Sequence, residues 1–175
     1  GDCNPKLKPV RGTLEHNVKR CEDLFNERFP VFGKQKEVWW NEYLKKGWFE
    51  TMTGFIIRGI YNKNYLMNSP IQGPGFHCLL WSIIELDKWL TKYGMKTLIV
   101  AQIHDCILMD VPHDELQDVL YAAEKIMTTK LRKAWDWIIT PMQVEIDVVE
   151  ENETWHDKKP WVETNGIWTP KQKAA

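Results

Sequence analysis

Residues 98–103 and 107–111 are two largely apolar, β-type runs separated only by His104, Asp105 and Cys106. So short an interval leaves room for a tight antiparallel hairpin and for little else, with those three residues at its tip. Such a tip projects from the sheet while the strands fix its position. A carboxylate there, Asp105, is well placed to hold a hard divalent cation. The same side chain would equally serve as a plain turn acceptor of backbone hydrogen bonds, and the apolar strands do not decide between the two.

The remaining punctuation gives an α+β chain. Thr13 is suited to cap a helix running to about Phe29, and Pro30 stops it or begins the next. Val38, Trp39, Trp40, Tyr43 and Leu44 suggest a second helix ending at Gly47. Residues 48–57 combine β-formers with a Thr-Gly turn and read as a short hairpin. After Pro70 and the breakers Gly73, Pro74 and Gly75, the positions Phe76, Leu79, Leu80, Ile83, Leu86 and Leu90 recur at helical spacing. They predict a helix of about four turns ending near Gly94. Leu116 to Leu131 carries a long amphipathic pattern, and Val144, Ile146 and Val148 alternate with polar residues as a half-buried strand. The expected architecture is an antiparallel sheet, made of the central hairpin and the later third strand, with helices packed on one face. Residues 1–12 read as an extended lead-in, residues 13–157 as the body, and residues 158–175 as a surface tail without a clear period.

With 175 residues, 43% of them hydrophobic, the chain is long enough to bury a core. No apolar run approaches the length of a membrane span and the opening residues resemble no signal or transit peptide, so no membrane partner and a cytoplasmic setting are expected. Cys3, Cys21, Cys78 and Cys106 lack close-paired spacing and read as free thiols. The net charge of −1 conceals an asymmetry: residues 1–70 hold 12 Lys and Arg against 8 Asp and Glu. A basic half of that size suits a phosphate backbone or a merely solvated face.

Two separated stretches, Asn68-Ser69-Pro70-Ile71-Gln72-Gly73 and Gln102-Ile103-His104-Asp105, stand in an order and spacing that resembles family A DNA polymerases. That family pairs an N-x-P-x-Q-G segment with a Q-x-H-D hairpin, its motif C, about thirty residues later. The segment from Phe25 to Pro30, the hairpin from Gly47 to Thr51 and Asn152-Glu153-Thr154-Trp155 are similar to further parts of the same family, so the resemblance covers about residues 13–157.

The resemblance implies the C-terminal, palm-forming part of a phage-like DNA polymerase, within a larger polymerase fold. By it, Asp105 is a catalytic residue and a ligand of two Mg²⁺ ions, and His104 approaches the primer terminus. Asn68 and Gln72 face the minor groove of the primer-template. Asn64 stands where many relatives carry an Arg toward DNA, and Arg58 is the nearest candidate for a backbone contact. The partners implied are primer-template DNA, deoxynucleotide triphosphates and an upstream segment or subunit carrying motif A, with its second aspartate, and the motif B helix. Without those motifs the chain is expected to be inactive alone.

The sequence departs from the family at Cys106, where many relatives have Glu, and in the apolar residues around Phe55, Ile56 and Ile57, where relatives are commonly arginine-rich. Asp110, Asp114, Glu145 and Asp147 are read as polar-face positions, not replacement ligands. A zinc site of His77, Cys78, His104 and Cys106 lacks finger spacing. Ten tryptophans suggest core packing before base stacking, since Trp39, Trp81, Trp89, Trp135 and Trp137 fall in or beside helical apolar patterns. Two rival readings remain. A single-subunit RNA polymerase also uses a His-Asp motif C, and a non-catalytic DNA-binding remnant of a polymerase would leave Asp105 dispensable.

Overall fold

Thr13 opens the first helix, its hydroxyl accepting the His16 N–H at 3.3 Å, in a computed structural model that describes residues 10–172. Helix α1 runs Leu14–Arg28, with Glu15 in its first turn and Arg28 in its last, both favourable toward the helix dipole. Helix α2, Pro30–Lys46, starts on the proline whose missing N–H costs nothing there. It ends at Gly47 (φ 72°), a left-handed position that glycine takes without Cβ strain. Strands β1 (Trp48–Glu50) and β2 (Ile56–Arg58) pair antiparallel as the expected hairpin. Its loop is closed by buried Thr51, whose N–H donates to the Phe55 carbonyl at 2.9 Å while its hydroxyl accepts the Phe55 N–H at 3.1 Å. Tyr43, Phe49 and Leu66 form the core here, joined by Trp39, Trp40 and Tyr61. The lead-in expected over residues 1–12 lies mostly outside the described residues.

Helix α3 spans Lys63–Tyr93 as one element of 31 residues. The break expected at Pro70 and at Gly73, Pro74 and Gly75 does not occur. Leu66, Pro70, Pro74, Leu79, Ser82, Leu86 and Leu90 are all buried, at the three-to-five-residue spacing of a single helix face. The prolines therefore sit on the packed side. Each proline costs a helix interior about 3 kcal/mol through its missing N–H and its ring's clash with the preceding turn, and burial along that face works against that cost. The chain divides into two compact units at Gly73 and Pro74, inside this helix.

In the second unit, β3 (Leu98–Ile103) and β4 (Cys106–Asp110) form the antiparallel hairpin, with a register shift between Ile99 and Ala101 that leaves Val100 as a bulge. Helix α4 (Leu116–Lys125) continues through a π-helical turn, Ile126–Lys130, into α5 (Leu131–Ala134), a distortion the amphipathic pattern did not announce. Leu86 and Leu90 of α3 pack on Val119, Ala123 and Ile126, with Ile99, Met109 and Val111 of the hairpin region against them. That places helices on one face of the hairpin, as anticipated. Glu115 ties the entry of β3 to the start of α4: one oxygen accepts the Lys96 N–H at 2.7 Å, the other the Thr97 N–H at 2.9 Å and hydroxyl at 2.7 Å.

The third strand, β5, is shorter than its alternating pattern, covering Ile146–Val148, and it pairs with a different partner from the one expected. Instead of joining the hairpin it pairs with β6 (Lys159–Thr164), which pairs in turn with β7 (Ile167–Pro170). The stretch expected to lie irregularly on the surface thus completes a three-stranded antiparallel sheet. Trp168 is buried, and the Gln117 side chain bonds both its N–H and its carbonyl. Cys21, Cys78 and Cys106 are free thiols, while Cys3 lies outside the described residues, and no helix among the described residues is long and apolar enough to cross a membrane.

Candidate functional site

The tip of the β3–β4 hairpin is tighter than its sequence suggests. Cys106 is already in β4, paired with Ile103, so the connection is a two-residue turn of His104 and Asp105. His104 has φ 53° and Asp105 is not among the positive-φ residues. A positive φ at the first turn residue alone is the φ pattern of a type II′ turn, a position that glycine normally fills. Holding a β-carbon there costs energy, and the hairpin bears that cost at the residue pair the sequence singles out. Both side chains are exposed. The Gln102 amide reaches over the turn and donates to the His104 carbonyl at 2.6 Å. Motif spacing includes Gln102 without assigning it this contact. An amide inside an otherwise aliphatic strand, two residues before the turn, is the signal in the sequence that could have found it.

Asn64, Asn68 and Gln72 lie at i, i+4 and i+8 on α3, which sets them in one row along the helix. All three are exposed, because two residues of offset turn them about 200° from the buried Leu66, Pro70 and Pro74. The row presents three neutral amides, donors and acceptors at once. Arg58 is the last residue of β2, paired with Trp48 and exposed. The amide row and Arg58 belong to the unit Gly1–Gly73, and the turn to the unit Pro74–Ala175.

For a divalent cation, Asp105 offers a hard oxygen on a rigid support, which suits Mg²⁺. It is one ligand only. Among the described residues no group of three or more His, Cys, Asp or Glu side chains is gathered to hold a metal, so neither the zinc set nor extra carboxylates assemble at the tip. Asp147 is engaged instead with Lys158, Nζ to Oδ2 2.9 Å. That hydrogen bond leads the causes that raise the Lys158 ammonium above the usual lysine value, with smaller contributions from Asp147's charge, Cys106 and Glu145.

The sequence profile described as DNA polymerase family A matches residues 17–157. DNA polymerase I of Lactococcus lactis subsp. cremoris is 29% identical over 160 residues, which is 85% of this chain and 17% of that protein. The DNA polymerase of Bacillus phage SP01 is 39% identical over 61 residues, covering 35% of this chain and 7% of its own length. Among solved structures, the POL domain of Pol1 from M. smegmatis, in complex with DNA primer-template and dNTP, superposes with a TM-score of 0.58 at 19% identity. The match covers 65% of this chain and 22% of that one. The chain spans about a sixth of the length of its DNA polymerase I relatives.

Proposed function

The chain belongs to DNA polymerase family A, and from that premise we propose that it is the C-terminal palm portion of a DNA-directed DNA polymerase, contributing Asp105 to two-metal nucleotidyl transfer. The observation that supports the reading is the two-residue turn, where the β3–β4 register leaves the aspartate of the Q-x-H-D motif exposed between two paired strands.

In this reading each residue has a limited task. Asp105 supplies one carboxylate ligand and His104 directs its imidazole toward the primer terminus. Asn68 and Gln72 meet the minor groove, whose acceptors are nearly alike for all base pairs, so their amides would sense pairing geometry without reading sequence. Asn64 continues that row, and Arg58 would meet a backbone phosphate. Asp105 would be one of the groups holding Mg²⁺, whose chemistry there would be to align the primer 3′-hydroxyl and to offset charge on the leaving pyrophosphate. The further carboxylate and the grip on the deoxynucleotide triphosphate would come from a segment carrying motifs A and B, whether a separate subunit or more of the same polypeptide. The place of work would be the cytoplasm, where template and nucleotides meet.

Uncovered apolar surface supports a larger assembly: α1 buries none of its residues, and Leu14 and Phe25 on that helix and Leu98 and Val100 on β3 are exposed. The test is primer extension with Mg²⁺ and all four deoxynucleotides, using this chain, a segment carrying motifs A and B, and the two together. Extension by the mixture alone is the expected result. Extension by this chain alone would refute its dependence on a partner, and none in any tube would favour a non-catalytic remnant.

A further inference from the structure

We infer that Gln102 is a positioning residue for the candidate catalytic turn: its side-chain amide holds the His104–Asp105 peptide in the orientation that presents the Asp105 carboxylate. The inference rests on the polymerase reading for its functional consequence, and on this structure for its geometry.

Three observations lead to it. The first is the strain at His104, whose φ of 53° is costly for a residue with a β-carbon. A two-residue turn in that state competes with looser turns of lower local energy. The second is the contact itself: Gln102 Nε2 donates to the His104 carbonyl at 2.6 Å, fixing the plane of the peptide that leads into Asp105. The third is the position of Gln102 on β3. It is paired with Ile107, one rung below the closing pair of Ile103 and Cys106, so the ladder sets its backbone and the point from which its side chain reaches the turn. An aliphatic side chain would suit a strand of this composition equally well by propensity, yet it could not make the bond. Gln102 touches neither metal nor substrate in this scheme and acts through His104 and Asp105.

The test uses the full chain, ¹⁵N-labelled, with Gln102→Leu made in the native background and in a His104→Gly background. Glycine adopts positive φ without strain, so the amide should matter less once it occupies the turn. Amide exchange at Cys106, which closes the ladder, should quicken about threefold to tenfold in Gln102→Leu, the range for one lost hydrogen bond, and change little when the same substitution is made in the His104→Gly background. The one-bond Cα–Hα coupling of His104, which follows φ, should move toward an averaged value when Gln102→Leu is made in the native background. Gln102→Glu, which keeps the length and loses the donor, should behave as Gln102→Leu does. In primer extension by the reconstituted mixture, Gln102→Leu should lower kcat by about the same threefold to tenfold and leave the nucleotide KM unchanged, beside an inactive Asp105→Asn. Exchange and coupling unaltered by Gln102→Leu, or exchange altered equally in both backgrounds, overturn the positioning role while an inactive Asp105→Asn keeps the site. Full activity in Asp105→Asn overturns the polymerase reading and the functional role of Gln102 together.

Discussion

The Gln117 side chain grips the main chain of Trp168 at both ends, Oε1 accepting its N–H at 2.9 Å and Nε2 donating to its carbonyl at 2.9 Å. These residues lie 51 positions apart, and the pairing ties the β6–β7 ribbon to α4. Gln117→Ala removes both bonds and leaves a partly buried amide and carbonyl unpaired. The loss expected is about 1–3 kcal/mol, read as a lower denaturant midpoint and as an earlier change in tryptophan fluorescence.

Asp105→Ala is expected to reduce primer extension by the reconstituted polymerase about a hundredfold to a thousandfold. That corresponds to the several kcal/mol of transition-state charge stabilisation a metal supplies. DNA binding, measured by fluorescence anisotropy at fixed salt, should be nearly unchanged. A comparable fall in binding would show that the substitution damages the fold.

Asn68→Ala and Gln72→Ala each remove an exposed amide from the α3 row without touching its buried face. Each should weaken primer-template binding about threefold to tenfold, the scale of one hydrogen bond, with the salt slope unchanged because no phosphate contact is lost. Arg58→Ala should instead lower that slope by about one unit.

Acid should loosen the second unit through Glu115. Backbone donation from Lys96, then the Thr97 hydroxyl, holds its carboxyl below the ordinary value of 4.5. A depressed folded value means that the contribution is complete above 4.5 and disappears as pH falls through the folded value. Thermal melts should therefore lose stability progressively below that point, and Glu115→Gln should flatten this part of the profile. Glu153 and Asp157 are lowered as well, by Lys159 and Thr154 respectively, and add to the same slope.

Local chemistry was the legible part of the sequence. Thr13 and Gly47 act through their own hydrogen-bonding and conformational preferences, and the structure puts the helix ends beside them. Pro70 and Pro74 misled because proline in a helix interior usually ends it, whereas here the four-residue interval puts both on the face whose apolar burial favours a continuous helix. The pairing of β5 with β6 was out of reach for another reason: Lys159–Thr164 is mostly exposed, and Trp161 and Val162 alone give no alternation to read. The position of Asp105 at a hairpin turn was legible from the two β-type runs, but the inclusion of Cys106 in the strand depends on backbone bonds that no side chain announces.

The β3–β4 hairpin is a two-stranded sheet whose outer edges carry no further ladder among the described residues, and Leu98, Val100 and Ile103 stand exposed on it. Unsatisfied backbone groups beside aliphatic side chains form a template for any extended chain, including another copy. An open edge of that kind sets a ceiling on how concentrated the polypeptide can be kept in solution by itself, and it lies on the hairpin that carries the candidate turn. A lysine in place of Leu98, far from the turn, would raise that ceiling by making edge-to-edge stacking electrostatically costly.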